Sequence, residues 1–582
     1  MYQDRLRKLD EEIESASVAS SKLLFAIIAN IAIFIFLLAT HVHAAGWSIP
    51  IIIIIAASQR NARRLKDGAR ARRLKTFYLR GMDRMQHAWM GKGHSGEEYR
   101  ESAHLYDLDL NILGPGSLFE LLSTSRTEIG RRRLASYLLH SASAPEARAR
   151  QQAVQELRDQ TKLRDDVVLI GKYEFSGCDE DAFVEWLDAP ATAFPPGLSW
   201  LILISPIALI GLVIVGLLNI MSWPDIMPWA VSLIVFQAAV GYLVQSRVQP
   251  ILIHARALAA EFGILGQGLH LLAAQKFTSP KLVTLATAAA GASRPLKSIE
   301  LYMNWVRERD KEWLYWVSIY TMMGTQLAIA IERWRVQHRQ HLEAWMDTWG
   351  EFEALQSLAC YASEHPSDAF PTFAESSVFE AHALGHPLLA EAHCIRNDVD
   401  FTASGTPFWI ISGSNMAGKS TLLRSIGANT VLALAGAPVR AASLHLAAFR
   451  VCASIAPADS LLEGKSRFMA EVERIRDTIA AATAAPALFL IDEIFSGTNS
   501  HDRRIAAEAV VRALLKHGAV GALSTHDLAL TEIAALPGFE GRNVHMCSRD
   551  DADALDFDYL IKPGVNRQSN ALAIARLAGV DV

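Results

Sequence analysis

The sequence predicts two fold classes in one chain: a mostly α-helical region with transmembrane helices before residue 365, and an α/β domain from residue 365 to 582. Three observations predict this. Four uncharged apolar runs lie within the first 245 residues. Apolar residues then recur at three- and four-residue spacing to about residue 363, as in amphipathic helices. Beyond the break at His365-Pro366, short β-branched or aromatic runs alternate with Ala-rich segments, which is typical of an α/β domain.

Composition limits the classes of function. Hydrophobic residues make up 51% of the chain and charged residues 20%, and the apolar excess is concentrated in the uncharged runs. The net charge of −5 excludes a uniformly basic nucleic-acid-binding protein but leaves room for a local basic patch. The cysteines form no CxxC pair and no His/Cys ligand spacing, so we expect no zinc site and no disulfide partner, which fits a reducing compartment: Cys178, Cys360, Cys394, Cys452 and Cys547.

Residues 1–80 are predicted to form an N-terminal membrane hairpin. Its first run, about residues 23–40, carries no charge and is long enough to cross most of a bilayer core of roughly 30 Å. The second run, residues 44–57, follows a turn at His41-Val42-His43 and is short for a span. It therefore either crosses a thinned bilayer or lies partly re-entrant.

A second membrane hairpin is predicted over residues 199–245. Its runs, about 201–221 and 226–244, flank a turn that contains Pro224 and Asp225. Tryptophans lie near the ends of these runs, where interfacial tryptophans belong: Trp200, Trp223 and Trp229.

The distribution of basic residues predicts the orientation in the membrane. Eight cations lie between positions 60 and 75, and neither hairpin turn contains Lys or Arg. By the positive-inside rule we expect an inner-membrane protein with both chain ends and the region between the hairpins in the cytoplasm. The basic run itself has two interpretations, contact with anionic lipid headgroups or a track for DNA phosphates, and its position just after a span favours lipid.

Helical segments are predicted at 81–198 and 246–364, on either side of the second hairpin. One stretch within the second segment, residues 313–331, carries no charge and could be a fifth span. Its Tyr, Ser, Thr and Gln residues favour a buried core helix. The number of spans favours the same interpretation, because an odd number would place the C-terminal domain outside the cytoplasm.

The strongest chemical signal is a glycine-rich loop between a strand and a helix. The apolar residues 408–412 precede a match to GxxxxGK[ST], and a helix continues from Thr421: Gly413, Ser414, Asn415, Met416, Ala417, Gly418, Lys419 and Ser420. This context predicts a P-loop whose backbone N–H groups and helix N-terminus bind the phosphates of ATP. Lys419 would pair with the β- and γ-phosphates, and the Ser420 hydroxyl would ligate Mg²⁺.

Two further strands are predicted to end in catalytic side chains. Residues 487–491 are apolar and lead into Asp492 and Glu493. Asp492 is predicted to hold the Mg²⁺ shell, and Glu493 to orient or deprotonate the attacking water. A strand at 520–524 leads into Thr525-His526, which places His526 either as a sensor of the γ-phosphate or as a structural histidine.

These motifs together resemble the MutS family of DNA mismatch-repair ATPases. The segment SGSNMAGKST (412–421) is similar to the family's TGPNMGGKST, DEIFSGTN (492–499) to DEIGRGTS, and STH (524–526) to ATH. The segment 459–469 resembles DDLASGRSTFM, whose serine reaches the partner's ATP across a dimer. The resemblance implies a homodimer in which Ser466 acts in trans, and it favours the sensor role for His526. Upstream, residues 122–139 and 150–154 are similar to the start of the family's core and lever.

The chain also departs from the family pattern. Two membrane spans stand where the family carries its mismatch-reading domain, and another hairpin stands where it carries its DNA clamp. The family stacks adenine on an aromatic residue of an FxPND-like turn, whereas residues 394–398 here are CIRND, so Ile395 or His393 is expected to replace it. The sequence thus predicts a membrane-anchored, Mg²⁺-dependent ATPase, coupled to DNA binding as the resemblance implies. The alternative is an ATP-driven membrane mechanochemical or scaffold protein that binds no DNA.

Overall fold

The structure is a computed structural model and describes residues 2–40, 44–171, 186–309, 311–414, 417–455, 467–496, 498–547 and 557–566. The chain divides into two compact units. The first comprises residues 1–124, 135–169 and 356–582, and the second comprises residues 125–134 and 170–355. The expected combination of a mostly helical N-terminal region with a C-terminal α/β domain is confirmed.

Two long helices, α1 (Tyr2–Ala39) and α2 (Ser48–Met85), open the first unit and pack against each other. Near the chain start their contact is a small apolar core that includes Tyr2, Leu9 and Tyr78. Both helices extend beyond the apolar runs from which they were predicted. The first unit also contains shorter helices: α3 (Asp107–Leu110), α4 (Leu118–Leu122), the C-terminal part of α5 (Glu128–Leu139), from Ala135 on, α6 (Ala144–Arg158) and α7 (Thr161–Leu169).

The second unit is built from long helices: α8 (Leu198–Leu217), α9 (Trp223–Ala273), α10 (Pro280–Glu308), α11 (Glu312–Tyr320) and α12 (Met323–Glu364), the last of which belongs to this unit as far as Leu355. Aromatic side chains fill part of its core. The ring of Phe262 meets those of Trp186 and Trp334 edge-on, with centroids 5.7 and 5.6 Å apart.

Three helices of the described chain, α1, α8 and α9, are long and apolar enough to cross a membrane. Helix α2, which carries the second predicted run, is not among them. The uncharged stretch 313–331 does not form one continuous helix, because α11 ends at Tyr320 and α12 begins at Met323. Membrane crossing itself stays a prediction.

The α/β part of the first unit contains two sheets. The smaller has the strand order β1 (Thr372–Phe373), β5 (Ser443–Leu446), β2 (Val378–Leu384), β3 (Asn397–Thr402). The larger has the order β10 (Lys562–Pro563), β9 (Arg542–His545), β4 (Phe408–Ser412), β8 (Val520–Thr525), β7 (Ala487–Asp492), β6 (Arg450–Ser454). Its strands β9, β4, β8, β7 and β6 are parallel.

Among the described residues, four helices follow strands of the large sheet: α13 (Lys419–Ala435), α14 (Arg467–Ala484), α15 (Ser500–Lys516) and the short α16 (Leu528–Thr531). Apolar side chains of α14 and α15 pack on β4 and β7 around the fully buried Phe408 and Phe489. This buried layer fixes the strands, and therefore fixes the loops at their carboxyl ends.

Candidate active site

The carboxyl ends of three neighbouring strands bring the predicted catalytic residues together. Strand β8 lies between β4 and β7, and all three run parallel. The register pairs Ser412 with Thr525 and Asp492 with Ser524. The loops that follow these strands therefore leave the sheet at the same edge, where ligands bind in open parallel sheets.

The glycine-rich loop follows β4 and leads into α13. Gly413 has φ +147°, and a Cβ there would lie 2.4 Å from the carbonyl oxygen of Met546, so a side chain does not fit. Gly418, directly before α13, has φ +98°, a left-handed conformation that favours glycine. Ser414 and the buried Ala417 also lie on this loop. Asn415 and Met416 lie outside the described residues.

Lys419 points back into the glycine-rich loop. Its Nζ donates to the carbonyl oxygens of Gly413 (2.9 Å) and Ser414 (3.0 Å) and lies 3.9 Å from a carboxylate oxygen of Glu493. Burial lowers the pKa of Lys419, although Glu493 and Asp492 act in the opposite direction. A cation in this position is poised to turn from backbone carbonyls to an anionic ligand.

Asp492 is positioned by two hydroxyl groups, one from the first turn of α13 and one from strand β8. Ser420 Oγ donates to Asp492 Oδ2 at 2.5 Å, and Ser524 Oγ donates to Oδ1 of the same carboxylate. Hydroxyl and carboxylate oxygens are the ligands that Mg²⁺ prefers. The pairing of Ser420 with Asp492 therefore fits the predicted metal role. Ser524 was not predicted as a site residue, although it belongs to the STH motif.

Glu493 and His526 form the second carboxylate contact. His526 Nδ1 lies 2.7 Å from Glu493 Oε2, and the His526 N–H donates to the same oxygen at 3.4 Å. The other oxygen, Oε1, accepts no hydrogen bond from the described residues. Glu493 itself has φ +52°, a strained backbone for a residue with a side chain. The carboxylate is thus held at one oxygen by His526 while the other stays available.

A cavity of about 380 Å³ adjoins the glycine-rich loop. Gly418 and Thr421 form its wall on the loop side, and Ile395 and His393 lie on the opposite segment. The predicted base-binding residues therefore share one cavity with the predicted phosphate-binding residues.

The lining residues of this cavity that were not predicted include Tyr559, Asn397 and His386. Tyr559 lies against Gly418, and a Cβ added to Gly418 would lie 2.9 Å from its ring. Asn397 Nδ2 donates to the Tyr559 carbonyl oxygen at 3.0 Å and so holds the segment that carries Tyr559. His386 is buried, and burial together with Arg424 lowers its pKa to about 4. The Leu388 N–H donates to His386 Nδ1, so the neutral ring carries its proton on Nε2. No local motif marks these residues, because they come from separate segments.

The structure thus brings together the described members of the predicted site, from Gly413 to Thr421 with Asp492, Glu493, His526 and Ile395. Ser466 lies outside the described residues, so its predicted role across a dimer stays a prediction. Among the described residues there is no cluster of three or more His, Cys, Asp or Glu side chains that could hold a metal ion.

The sequence is similar to proteins of one family. The family model of MutS domain V matches residues 409–582. The DNA mismatch repair protein MutS of Sorangium cellulosum is 34% identical over 34% of this chain and 22% of its own length. MSH3 of Phaeosphaeria nodorum is 31% identical over 41% of this chain and 22% of its own length. MutS of Methanococcoides burtonii is 35% identical over 32% of this chain and 21% of its own length. The chain thus spans about a fifth of the length of these relatives.

Proposed function

Through its domain V the chain belongs to the MutS family, and we propose that it is a membrane-anchored ATPase that binds and hydrolyses ATP with Mg²⁺. The observation that carries this proposal is the meeting of the glycine-rich loop, Asp492 and Glu493 at the carboxyl edge of a parallel sheet. The loop acts as a P-loop: its backbone N–H groups and the N-terminus of α13 bind the phosphates, and Lys419 neutralises their charge.

Ser420 and Asp492 would hold Mg²⁺, whose chemistry is to neutralise the charge that develops on the phosphates. Ser524 keeps the Asp492 carboxylate turned toward Ser420. His526 holds Glu493 at Oε2 and leaves Oε1 to orient the attacking water and accept its proton. We propose that His526 also contacts the γ-phosphate.

The cavity beside Gly418 takes the nucleotide base. Ile395 and the ring of Tyr559 offer the apolar faces, and the Nε2–H of the neutral His386 offers a donor to a ring nitrogen. In this way Tyr559 replaces the aromatic residue that the 394–398 segment lacks. The resemblance of residues 459–469 to the family's trans loop adds a homodimer in which Ser466 reaches the partner's ATP.

Two helical hairpins anchor the protein in the inner membrane, with the ATPase domain in the cytoplasm. The apolar segments of α1, α8 and α9 present exposed large side chains, as a lipid-facing surface requires. Most cations of the 60–75 run are exposed on α2, directly after its apolar segment, where they can meet anionic headgroups. Single cysteines at His43, Pro224 and Gly350, in a cysteine-free background, test this orientation. An impermeant thiol reagent on intact cells should label the first two and spare the third; labelling at Gly350 would contradict it.

ATP turnover is coupled to DNA in the first version of this proposal. The relatives are named DNA mismatch repair proteins, and the shared domain supports the same coupling here. Binding of duplex DNA by the purified full-length protein should then weaken steeply as salt rises, because each neutralised phosphate releases counterions.

A buried polar network favours the second version, in which ATP drives the membrane hairpin without DNA. Asn429, on α13, accepts the Arg440 N–H at 2.7 Å, and the Arg440 guanidinium pairs with Asp368 at 3.4 Å. Four residues earlier, Glu364 accepts hydrogen bonds from Arg84 of α2 at 2.7 and 2.5 Å. Together with the stretch of chain from Glu364 to Asp368, these contacts connect the helix after the P-loop with α2 of the hairpin.

Hydrogen–deuterium exchange distinguishes the two versions. The mechanochemical version holds if ATP alone changes the protection of backbone amides from exchange at the start of α1 and the end of α2, and if duplex DNA neither binds nor alters hydrolysis. If duplex DNA changes the rate of hydrolysis, the DNA-coupled version holds. A full-length protein that shows no Mg²⁺-dependent ATP hydrolysis at all would contradict both.

A further inference from the structure

We infer that residues 312–331 form a hairpin embedded in the cytoplasmic leaflet of the bilayer, which enters the acyl-chain region and returns without crossing. The inference rests on the membrane anchoring proposed above for α8. Residues 313–331 carry no charge, and the structure divides them between α11 and the start of α12 at Thr321-Met322. Each arm has about nine residues and so spans about 13 Å, too little to cross roughly 30 Å of hydrocarbon.

The tip of this hairpin docks on α8 at the position where a proline interrupts that helix. Pro206 lacks an N–H and therefore leaves the carbonyl oxygen of Ile202, four residues earlier, without its helical donor. Gln326 supplies the missing donor: its Nε2 lies 3.1 Å from the Ile202 oxygen. The same nitrogen donates at 2.8 Å to the carbonyl oxygen of Thr321, which follows the end of α11. One side-chain amide thus satisfies two orphan carbonyls.

Backbone polar groups that lie within lipid must be hydrogen-bonded inside the protein, and the polar groups of this turn meet that requirement. The Thr321 hydroxyl and N–H both donate to the Val317 carbonyl oxygen, at 2.7 and 2.9 Å. The Met322 N–H donates to the Ile319 carbonyl oxygen at 3.1 Å, and its sulfur lies 3.9 Å from Ser205 Oγ on α8. Hydrogen bonding to water is not required at any of these groups.

The outer face of α11 is apolar and exposed. Among the α11 side chains that the structure describes, the exposed ones are all large: Trp316, Val317, Ile319 and Tyr320. This face continues the exposed apolar surface of α8, because the tip that carries it is fastened to Ile202 and Ser205. Lipid is the occupant that suits such a surface, since the neighbouring apolar face of α8 is itself proposed to meet acyl chains.

The tip of the hairpin lies at a shallow depth in the bilayer, close to the cytoplasmic headgroups. Ile202 and Pro206 lie two to six residues beyond the exposed Trp200, which corresponds to about 3–9 Å along the helix. The Arg309 guanidinium occupies the space beside Gly324, so a cation reaches the hairpin near its tip. A cation beside the tip favours a position near the lipid headgroups over one deep in the acyl-chain region.

Spin labels test the location of α11. The full-length protein, with its native cysteines replaced, carries single cysteines at Val317 or Ile319 and is placed in nanodiscs of phosphatidylcholine and phosphatidylglycerol. Two positions of the same unit with similar exposure serve as references: Ile210 on α8 for lipid and Leu301 on α10 for water. The measurement is the rate of collision of each label with oxygen, which enters the acyl-chain region, and with a nickel chelate, which stays in water. Labels at Val317 and Ile319 should collide more with oxygen than with the chelate, as the label at Ile210 should.

The outcomes separate this inference from the membrane proposal. Water-like accessibility at Val317 and Ile319, with a lipid-like Ile210, would overturn the hairpin and keep the anchor. A water-like Ile210 would overturn both. Labelling of Gly350→Cys from outside intact cells, described above, would replace the hairpin by a complete span.

A double-mutant comparison tests the proline contact. Gln326→Leu should raise amide exchange at residues 319–326 about tenfold, because two carbonyls lose their donor. In a Pro206→Ala background the helix regains an N–H for Ile202, so the same substitution should raise exchange by only about threefold. Equal effects in the two backgrounds would overturn the role of Gln326.

Discussion

Replacing Glu364 by alanine tests whether the first helical hairpin is fastened to the α/β domain by a buried charge pair. The Glu364 carboxylate accepts hydrogen bonds from Tyr2 at 3.2 Å and from two nitrogens of Arg84 at 2.7 and 2.5 Å. The Glu364 side chain is fully buried, and that of Arg84 is 8% exposed. Removal of the Glu364 carboxylate leaves the buried Arg84 guanidinium without a counter-charge, which costs roughly 3–5 kcal/mol of stability.

The loss is measured as hydrogen–deuterium exchange in the last two turns of α2, residues 78–85. A loss of roughly 3–5 kcal/mol corresponds to exchange about 150- to 4,000-fold faster. Asp10→Ala is the matched control, because Asp10 pairs with Lys75 at 2.5 Å but both side chains are well exposed. That pair contributes about 0–1 kcal/mol, so the control should change exchange by less than tenfold. Equal exchange in Glu364→Ala and Asp10→Ala would refute the reasoning.

Three further predictions concern the proposed nucleotide site. The pKa of His386 is about 4 in the folded protein and near 6.5 in the unfolded chain, so the unfolded state binds more protons between these pH values. The free energy of unfolding should therefore fall by up to about 3 kcal/mol as the pH falls from 6.5 to 4. Denaturant unfolding of His386→Gln should lack this dependence; an unchanged pH profile would contradict the assignment. Tyr559→Ala should weaken ATP binding about tenfold through lost base stacking, with tripolyphosphate binding unchanged, and equal losses for both ligands would argue against a base contact. A mixture of Ser466→Ala and Lys419→Ala subunits should recover hydrolysis at one composite site per mixed dimer, whereas activity no higher than that of the separate variants would exclude action in trans.

The proposed phosphate-binding part of the site follows from short stretches of sequence. Residues 408–421 read as strand, loop and helix, and the structure has β4, the loop and α13 at those positions. Asp492, Glu493 and His526 were predicted at strand ends, and parallel strands place such ends at one edge. Local pattern and sheet topology therefore suffice for these residues.

The cavity and the uncharged stretch 313–331 could not be predicted in the same way. His386 and Tyr559 come from segments more than 150 residues apart, and only the folded chain places them beside Gly418. In the stretch 313–331, the hydropathy of the sequence shows that charged residues are lacking. It does not show that the helix breaks at Met322, where the backbone adopts φ +50°. Beside that break Gln326 contacts Ile202, a tertiary interaction across 124 residues of sequence that no local pattern marks.

The most direct test of the central claim is ATP hydrolysis by the full-length Glu493→Gln protein, measured together with ATP binding. Glu493 should act on the attacking water rather than on the nucleotide, so the variant should bind ATP as the unmodified protein does while hydrolysis falls about 10²- to 10⁴-fold. Lys419→Ala, which removes the phosphate counter-charge, should lose binding and hydrolysis together. A Glu493→Gln protein that hydrolyses ATP at the unmodified rate would contradict the account.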